Sequence, residues 1–212
     1  MIRTVALAIA VFCCCVALLL PGCLGKGSNP SRYYVLHEIA QPVGDPGPDL
    51  FTEDNALLQI GPISLPRYLD RPQIVSRSSD NQVDLAEFDR WSEPLHDSFT
   101  RVLAGNLGTL LPTDDILVYP NRRSTDDNFY QLKMEVARFD GRREGSVTLE
   151  ARWIVVGQKN NKVMPQARSL YTEPVAGSDY TDYVAALNRT IEKLSREIAS
   201  KIRVAVRGQV EH

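Results

Sequence analysis

The residue pattern predicts an α+β domain: a mixed or antiparallel sheet with two helices packed on one face, a two-layer sandwich. Three observations carry this expectation. Short stretches rich in branched and aromatic residues, bounded by Gly, Pro, Asn and Asp, recur through the chain. Two longer segments place apolar residues at helical spacing. Their order is four strands, a helix, four strands, a helix.

The chain begins Met1-Ile2-Arg3-Thr4, continues as a 16-residue apolar run from Val5 to Leu20, and reaches Pro21-Gly22-Cys23. A basic start, an apolar middle and a small residue before the cut form a secretory signal. A spanning helix needs about 20 apolar residues, and Pro21-Gly22 ends this run short of that. A plain cleaved signal ends in an A-x-A-like pattern, which Leu20-Pro21-Gly22 is not. Residues 1–22 therefore read as a lipoprotein signal peptide. Cys23 reads as the acylated new N-terminus, with a covalent diacylglycerol and an N-acyl chain such as palmitate. Residues 23–31 are the lipidated cysteine and a Gly/Ser/Asn/Pro tether. The eight residues after Cys23 reach at most roughly 26–29 Å when extended. Residues 32–212 read as one periplasmic domain.

Tyr33–Glu38 is the first expected strand. Gln41–Glu53, with three prolines and two glycines, reads as a surface loop. Ala56–Leu65 is the second strand, with Leu58, Ile60 and Ile63 as core candidates and a bulge or edge position at Gly61-Pro62. Pro66–Pro72 is a proline-bracketed connection. Gln73–Arg77 and Gln82–Phe88 flank a polar turn and read as a hairpin. Ser92 is the expected N-cap of a helix, with Leu95, Phe99, Val102, Leu103 and Leu107 as its apolar stripe and Pro112 as its stop.

Asp115–Tyr119 is a short strand and Pro120–Asn128 a polar loop. Phe129–Asp140 and Ser146–Gly157 alternate cleanly. The first places Tyr130, Leu132, Met134 and Val136 on one face; the second places Val147, Leu149, Ala151, Trp153 and Val155. Turns are expected at Asp140-Gly141 and Lys159–Lys162. Val163–Val175 completes an antiparallel meander, with a break expected at Pro165. Ser178 or Asp179 caps the last helix. Its stripe is Tyr180, Val184, Leu187, Ile191, Leu194, Ile198 and Ile202, and Gly208 is the expected stop. That stripe fits packing on its own sheet or a seam against a second copy.

The residues after the signal number 190, enough for one domain with a sizeable core. Their side chains sum to −3, so neither a nucleic-acid footprint nor a polybasic membrane patch is present. Cys13, Cys14 and Cys15 leave with the signal, so Cys23 alone remains and no internal disulfide can form. His37, His96 and His212 show no metal-ligand spacing. Ser64 lacks the Gly-x-Ser-x-Gly elbow of a hydrolase. Asp114-Asp115 and Asp126-Asp127 read as solvated loop charges. The composition points to a non-enzyme with no metal and no cofactor beyond the acyl chains.

Two stretches resist an explanation by propensity. Pro66-Arg67-Tyr68-Leu69-Asp70-Arg71-Pro72 is either a rigid crossover with Tyr68 and Leu69 tucked beneath the sheet, or a preorganised contact surface. Trp91 is either a staple against the helix that follows or an interface anchor. Arg67, Tyr68, Leu69, Asp70, Arg71 and Trp91 are thus the candidate partner-binding residues.

At these residues the chain resembles a known family. Ile60-Gly61-Pro62-Ile63-Ser64-Leu65 running through Pro66–Arg77, then Arg90-Trp91-Ser92-Glu93-Pro94-Leu95, is similar to the PqiC/YmbA-type lipoproteins. These are auxiliary lipoproteins of MCE-type ABC lipid transport systems. The resemblance covers nearly the whole chain after Cys23. It implies a periplasmic domain lipid-anchored on the outer membrane of a Gram-negative bacterium. Its implied partners are an MCE-domain protein and its permease/ATPase system, with assembly as a homo-oligomer left open. Leu24 in place of Asp after the anchor agrees with outer-membrane placement. A lipid-binding carrier and an envelope-assembly or secretion lipoprotein are the alternative readings.

Overall fold

The computed structural model describes residues 30–40, 57–111, 113, 116–120, 129–157 and 162–210, with backbone alone at 162–164 and 206–210. The elements run β1 (Arg32–Tyr34), β2 (Leu57–Ser64), a 3-10 turn (Arg67–Leu69), β3 (Gln73–Arg77) and β4 (Val83–Trp91). There follow α1 (Leu95–Leu110), β5 (Ile116–Val118), β6 (Phe129–Gly141), β7 (Ser146–Gly157), β8 (Lys162–Pro174) and α2 (Tyr180–Val210). The order of strands and helices is the expected one, and the α+β class holds. The strands divide, however, into two sheets: β1-β4-β3 and β5-β2-β6-β7-β8. The smaller sheet pairs β1 parallel and β3 antiparallel to β4. In the larger, β2 runs parallel to both β5 and β6, and β6-β7-β8 is the antiparallel meander.

Alternation places the core. On one face of the larger sheet, Leu58 and Ile60 join Leu132, Met134 and Val136, then Val147, Leu149, Ala151, Trp153 and Val155, all buried. α1 packs on β2 and β5, α2 packs on β7 and β8, and the two helices touch each other. Phe99, Val102, Leu103 and Leu107 come from α1. Every residue of the predicted α2 stripe is buried in the same cluster. Phe99 and Phe139 meet edge to face at 5.2 Å. The cluster lies entirely within Ser31–His212, which forms a unit by itself. That unit carries its own core.

Several boundaries differ from expectation, each for a local reason. Trp91 ends β4, and the Ser92 N–H donates to the Tyr34 carbonyl at 2.9 Å, so Ser92 is held in sheet pairing and does not cap α1. Pro94 occupies the cap position without a side-chain hydrogen bond, and α1 starts at Leu95. Proline disfavours helical geometry in the residue before it, which delays the start. Asp179 does cap α2, accepting the Asp182 N–H at 2.9 Å. Gly208 lies inside α2 and does not stop it. Pro165 leaves β8 continuous as a strand but shifts its register against β7, between the Ile154–Gln166 and Val156–Val163 pairs; β8 is an edge strand, where a missing N–H costs little. Gly61-Pro62 is a bulge in an interior strand: the β2–β6 register shifts between Ile60 and Ile63, and Gly61 holds φ 107°, which favours glycine. Pro112, Asp114-Asp115, most of 120–128 and the Lys159–Lys162 turn except Lys162 lie outside the described residues, as does the whole Gln41–Glu53 loop.

Buried polar side chains bind the layers together. The Tyr183 hydroxyl donates to the Val75 carbonyl and accepts the Gly141 N–H, both at 2.9 Å, so α2 is pinned to both sheets. Burial pushes the Tyr183 phenol pKa up. Asn106 accepts the Ile39 N–H at 2.9 Å and donates to Ser195 Oγ at 3.1 Å, joining the segment after β1 to both helices. Asn106→Ala removes both bonds from a side chain that is 1% exposed. The expected loss is about 1–3 kcal/mol. Urea unfolding should show a lower midpoint with an unchanged slope.

Candidate functional site

The site is built around the loop Leu65–Pro72. Pro66 enters with φ −57° and ψ 131°, and the chain then closes a 3-10 turn through Leu69 N–H to Pro66 carbonyl at 3.0 Å and Asp70 N–H to Arg67 carbonyl at 3.1 Å. At the far end the Trp91 N–H donates to the Pro72 carbonyl at 2.7 Å. Both ends of the loop are thereby fixed to strands.

A buried carboxylate fixes its middle. Asp140, near the end of β6, is fully buried. It accepts the Tyr68 hydroxyl at 2.6 Å, Arg77 Nε at 2.7 Å and Arg138 Nε at 2.9 Å. A second Arg77 nitrogen donates to the Tyr68 hydroxyl at 3.3 Å, and the Arg77 guanidinium lies 5.8 Å from the centre of the Tyr68 ring. Burial alone raises the Asp140 pKa, but the bonds from Arg77, Tyr68 and Arg138 outweigh it and hold the carboxyl below its ordinary value. Burial and the bond to Asp140 push the Tyr68 phenol up. The hydrogen bond to Asp140 raises Arg77, so the guanidinium stays charged. A buried charge is tolerated only when paired and hydrogen-bonded in this manner.

The six candidate contact residues separate into two groups. Leu69 and Trp91 are 2% and 6% exposed and belong to the core, so neither offers a surface to a partner. Trp91 also precedes no N-cap, because it ends β4. Arg67 and Asp70 are exposed, and Tyr68 and Arg71 are half-buried. The loop is thus both things its sequence allowed: Leu69 tucks inward, while Arg67 and Asp70 stand outward on a rigid turn. Cys23 lies outside the described residues. Sequence reasoning missed Asp140, Arg77 and Arg138 as supports of the loop. Asp140 is 72 residues from Tyr68 and 63 from Arg77, a separation no local pattern reports.

Among the described residues, the remaining sequence candidates bring no reactive set together. His96 is exposed, with Nε2 at 3.0 Å from the Ile63 carbonyl, and His37 is exposed with Nδ1 at 3.1 Å from the Glu38 carbonyl. Among the described residues no three of His, Cys, Asp or Glu are placed to hold a metal ion, and no helix is long and apolar enough to cross a membrane.

The site is a charged loop held rigid on a two-sheet α+β scaffold, with a buried carboxylate as its clamp. Comparison with known proteins gives the family. The chain belongs to the family of ABC-type transport auxiliary lipoprotein components, whose model matches residues 34–199. It is similar to the intermembrane transport lipoprotein PqiC of Escherichia coli (strain K12), 28% identical over 189 residues, which span 88% of this chain and 94% of that one. Its fold matches the crystal structure of an uncharacterized protein at a TM-score of 0.66 and 23% identity, covering 82% of this chain and 99% of the other. It also matches protein XCC0632 of Xanthomonas campestris at a TM-score of 0.65 and 15% identity, covering 85% and 100%. The chain is therefore a PqiC-type transport auxiliary lipoprotein of the cell envelope.

Proposed function

We propose that the chain is a non-enzymatic subunit of an MCE-type ABC intermembrane lipid transport system, held on the outer membrane by acyl chains on Cys23. It docks the conduit formed by the MCE-domain protein and so supports envelope integrity. The observation that carries this reading is the family match across residues 34–199, supported by the similarity to PqiC over nearly the full length of both chains. Leu24, in place of the Asp that retains lipoproteins on the inner membrane, favours the outer one. The clamped loop supplies a docking surface at low entropic cost, since Arg67 and Asp70 project from a backbone already fixed at both ends.

Capture of the tagged full-length chain from detergent-solubilised envelope tests the reading. Recovery of an MCE-domain protein is the expected result, with the permease and ATPase following it. Reversing both exposed loop charges, Arg67→Glu with Asp70→Lys, should lower recovery at least tenfold without altering the melting temperature. Absence of any MCE-domain protein from a captured, functional chain overturns the assignment.

A further inference from the structure

Two arginines stand where β3 leaves the loop Leu65–Pro72. The Trp91 N–H donates to the Pro72 carbonyl at 2.7 Å, and Arg71 and Arg90 are each one residue from that bond. In register, Arg90 lies opposite Gln73 on β3 and beside Tyr33 on β1. Successive residues of a strand face opposite ways. Asp89 and Trp91 are buried, so Arg90 is turned to the outer face of the smaller sheet. Tyr33, its neighbour there, is 66% exposed, and Val35, two residues further on, is 50% exposed.

Both guanidiniums lack an acceptor. Each side chain is half-buried, and each Nε is shielded from solvent without a hydrogen-bond partner. Among the described residues neither side chain makes an ion pair. Other arginines of this region are paired: Arg32 with Asp89, and Arg77 and Arg138 with Asp140. Asp89, the residue before Arg90, is taken by Arg32 and by the Tyr34 hydroxyl. Asp70, the residue before Arg71, is exposed. A shielded donor without an acceptor costs free energy, and that cost ends when an acceptor arrives from outside. The planar guanidinium fork matches a carboxylate, which accepts two parallel N–H bonds. A free inorganic anion would use the arginines alone. The exposed tyrosine and valine beside them suit a protein surface, where arginine and tyrosine are the common anchors.

We propose that Arg71 and Arg90 receive a carboxylate side chain of a docking protein, carried on an acidic segment whose apolar neighbour rests on Tyr33 and Val35. This rests on the docking reading above and adds the chemistry of the partner's side. Arg67 and Asp70 stand at the rim of that contact, and the unpaired arginines form its charged centre.

The unit Ser31–His212 carries its own core, so it serves for titration without the anchor. The Nε–H signals of Arg71 and Arg90 in nitrogen-15 NMR report directly on the two orphaned donors. Three probes are compared: the end-blocked peptide Ala-Glu-Leu-Glu-Ala, its counterpart with both Glu replaced by Gln, and inorganic phosphate. The acidic peptide should move both signals saturably, with the glutamine peptide at least tenfold weaker and phosphate weaker than the acidic peptide. Arg71→Gln and Arg90→Gln should each lower the peptide affinity at least fivefold. Arg152→Gln, which removes an exposed cation of the larger sheet, should leave it unchanged. The titration of the unaltered domain stands even where a variant fails to fold. Unmoved signals, equal binding of the glutamine peptide, or an equal loss in Arg152→Gln overturns the proposal. Tighter binding of phosphate than of the acidic peptide also overturns it, by assigning the pair to a free anion. The capture experiment above is read separately. Capture that succeeds while the titration fails removes only the arginine site, and the reverse result removes only the identity of the partner.

Discussion

Asp140→Ala is expected to destabilise the domain by about 3 kcal/mol. The substitution removes the acceptor of three hydrogen bonds from a fully buried position. Breaking a buried pair commonly costs about 3–5 kcal/mol. The lower end applies because the Arg77 and Arg138 side chains are 20% and 38% exposed and water can reach them. Against a total stability of about 5–15 kcal/mol this is a large fraction. Denaturant unfolding measures it. Loosening of the loop should appear separately, as faster backbone amide exchange at Leu69 and Asp70, whose N–H groups close its turn. A variant that melts like the wild type would show that the clamp is not what holds the loop.

The same residue sets a pH dependence. The folded pKa of Asp140 lies below its ordinary 3.8. Its stabilisation is therefore complete above the unfolded value of about 3.9 and is lost as pH falls through the folded value. Asp140→Asn should flatten that acid limb. Among the described residues, Glu93, lowered by its bond from Arg101, and Glu173, where Lys193 and Arg189 outweigh the effect of burial, also contribute to it.

Cys23→Ala is expected to abolish labelling of the chain by radioactive palmitate. The proposal assigns acylation to Cys23, the thiol that directly follows the apolar run and Pro21-Gly22, and not to Cys13, Cys14 or Cys15 inside that run. Replacing residues 1–23 with a cleavable secretory signal should then move the domain from the membrane fraction to the soluble periplasm. One acyl chain gives only marginal membrane binding, and two or more give stable anchoring. Labelling that survives in Cys23→Ala would overturn the reading of the N-terminal segment. A domain that stays on the membrane after the signal exchange would show that the folded part binds there by itself.

Much of the fold was legible because its elements announce themselves locally. Strict alternation in β6 and β7 identified the face of each that is buried, and the stripe of α2 proved buried at every position named. The division into two sheets was not legible. Whether β4 pairs with β1 and β3, or joins β2, is decided by contacts between distant parts of the chain, not by propensity within either strand. The loop Leu65–Pro72 stood out because Tyr and Leu sat among charges between two prolines. Its clamp did not, because Asp140 resembled an ordinary turn aspartate preceding Gly141. A register shift between Val136 and Arg138 interrupts the alternation just before it, so extrapolating the pattern from Tyr130 through Val136 misjudges what lies beyond.

The parallel pairing of β2 has a further consequence, for the order of folding. β6, β7, β8 and α2 follow one another and can associate as soon as they exist. β2 must wait for β5 and β6, which lie beyond β3, β4 and α1 in the chain, and β1 must wait for β4. Closing such loops costs entropy before any contact repays it, and non-local parallel strands assemble slowly. The C-terminal meander with its helix is thus the expected nucleus. The segment that carries the loop Leu65–Pro72 is expected to seat last, onto a platform that the end of the chain has built.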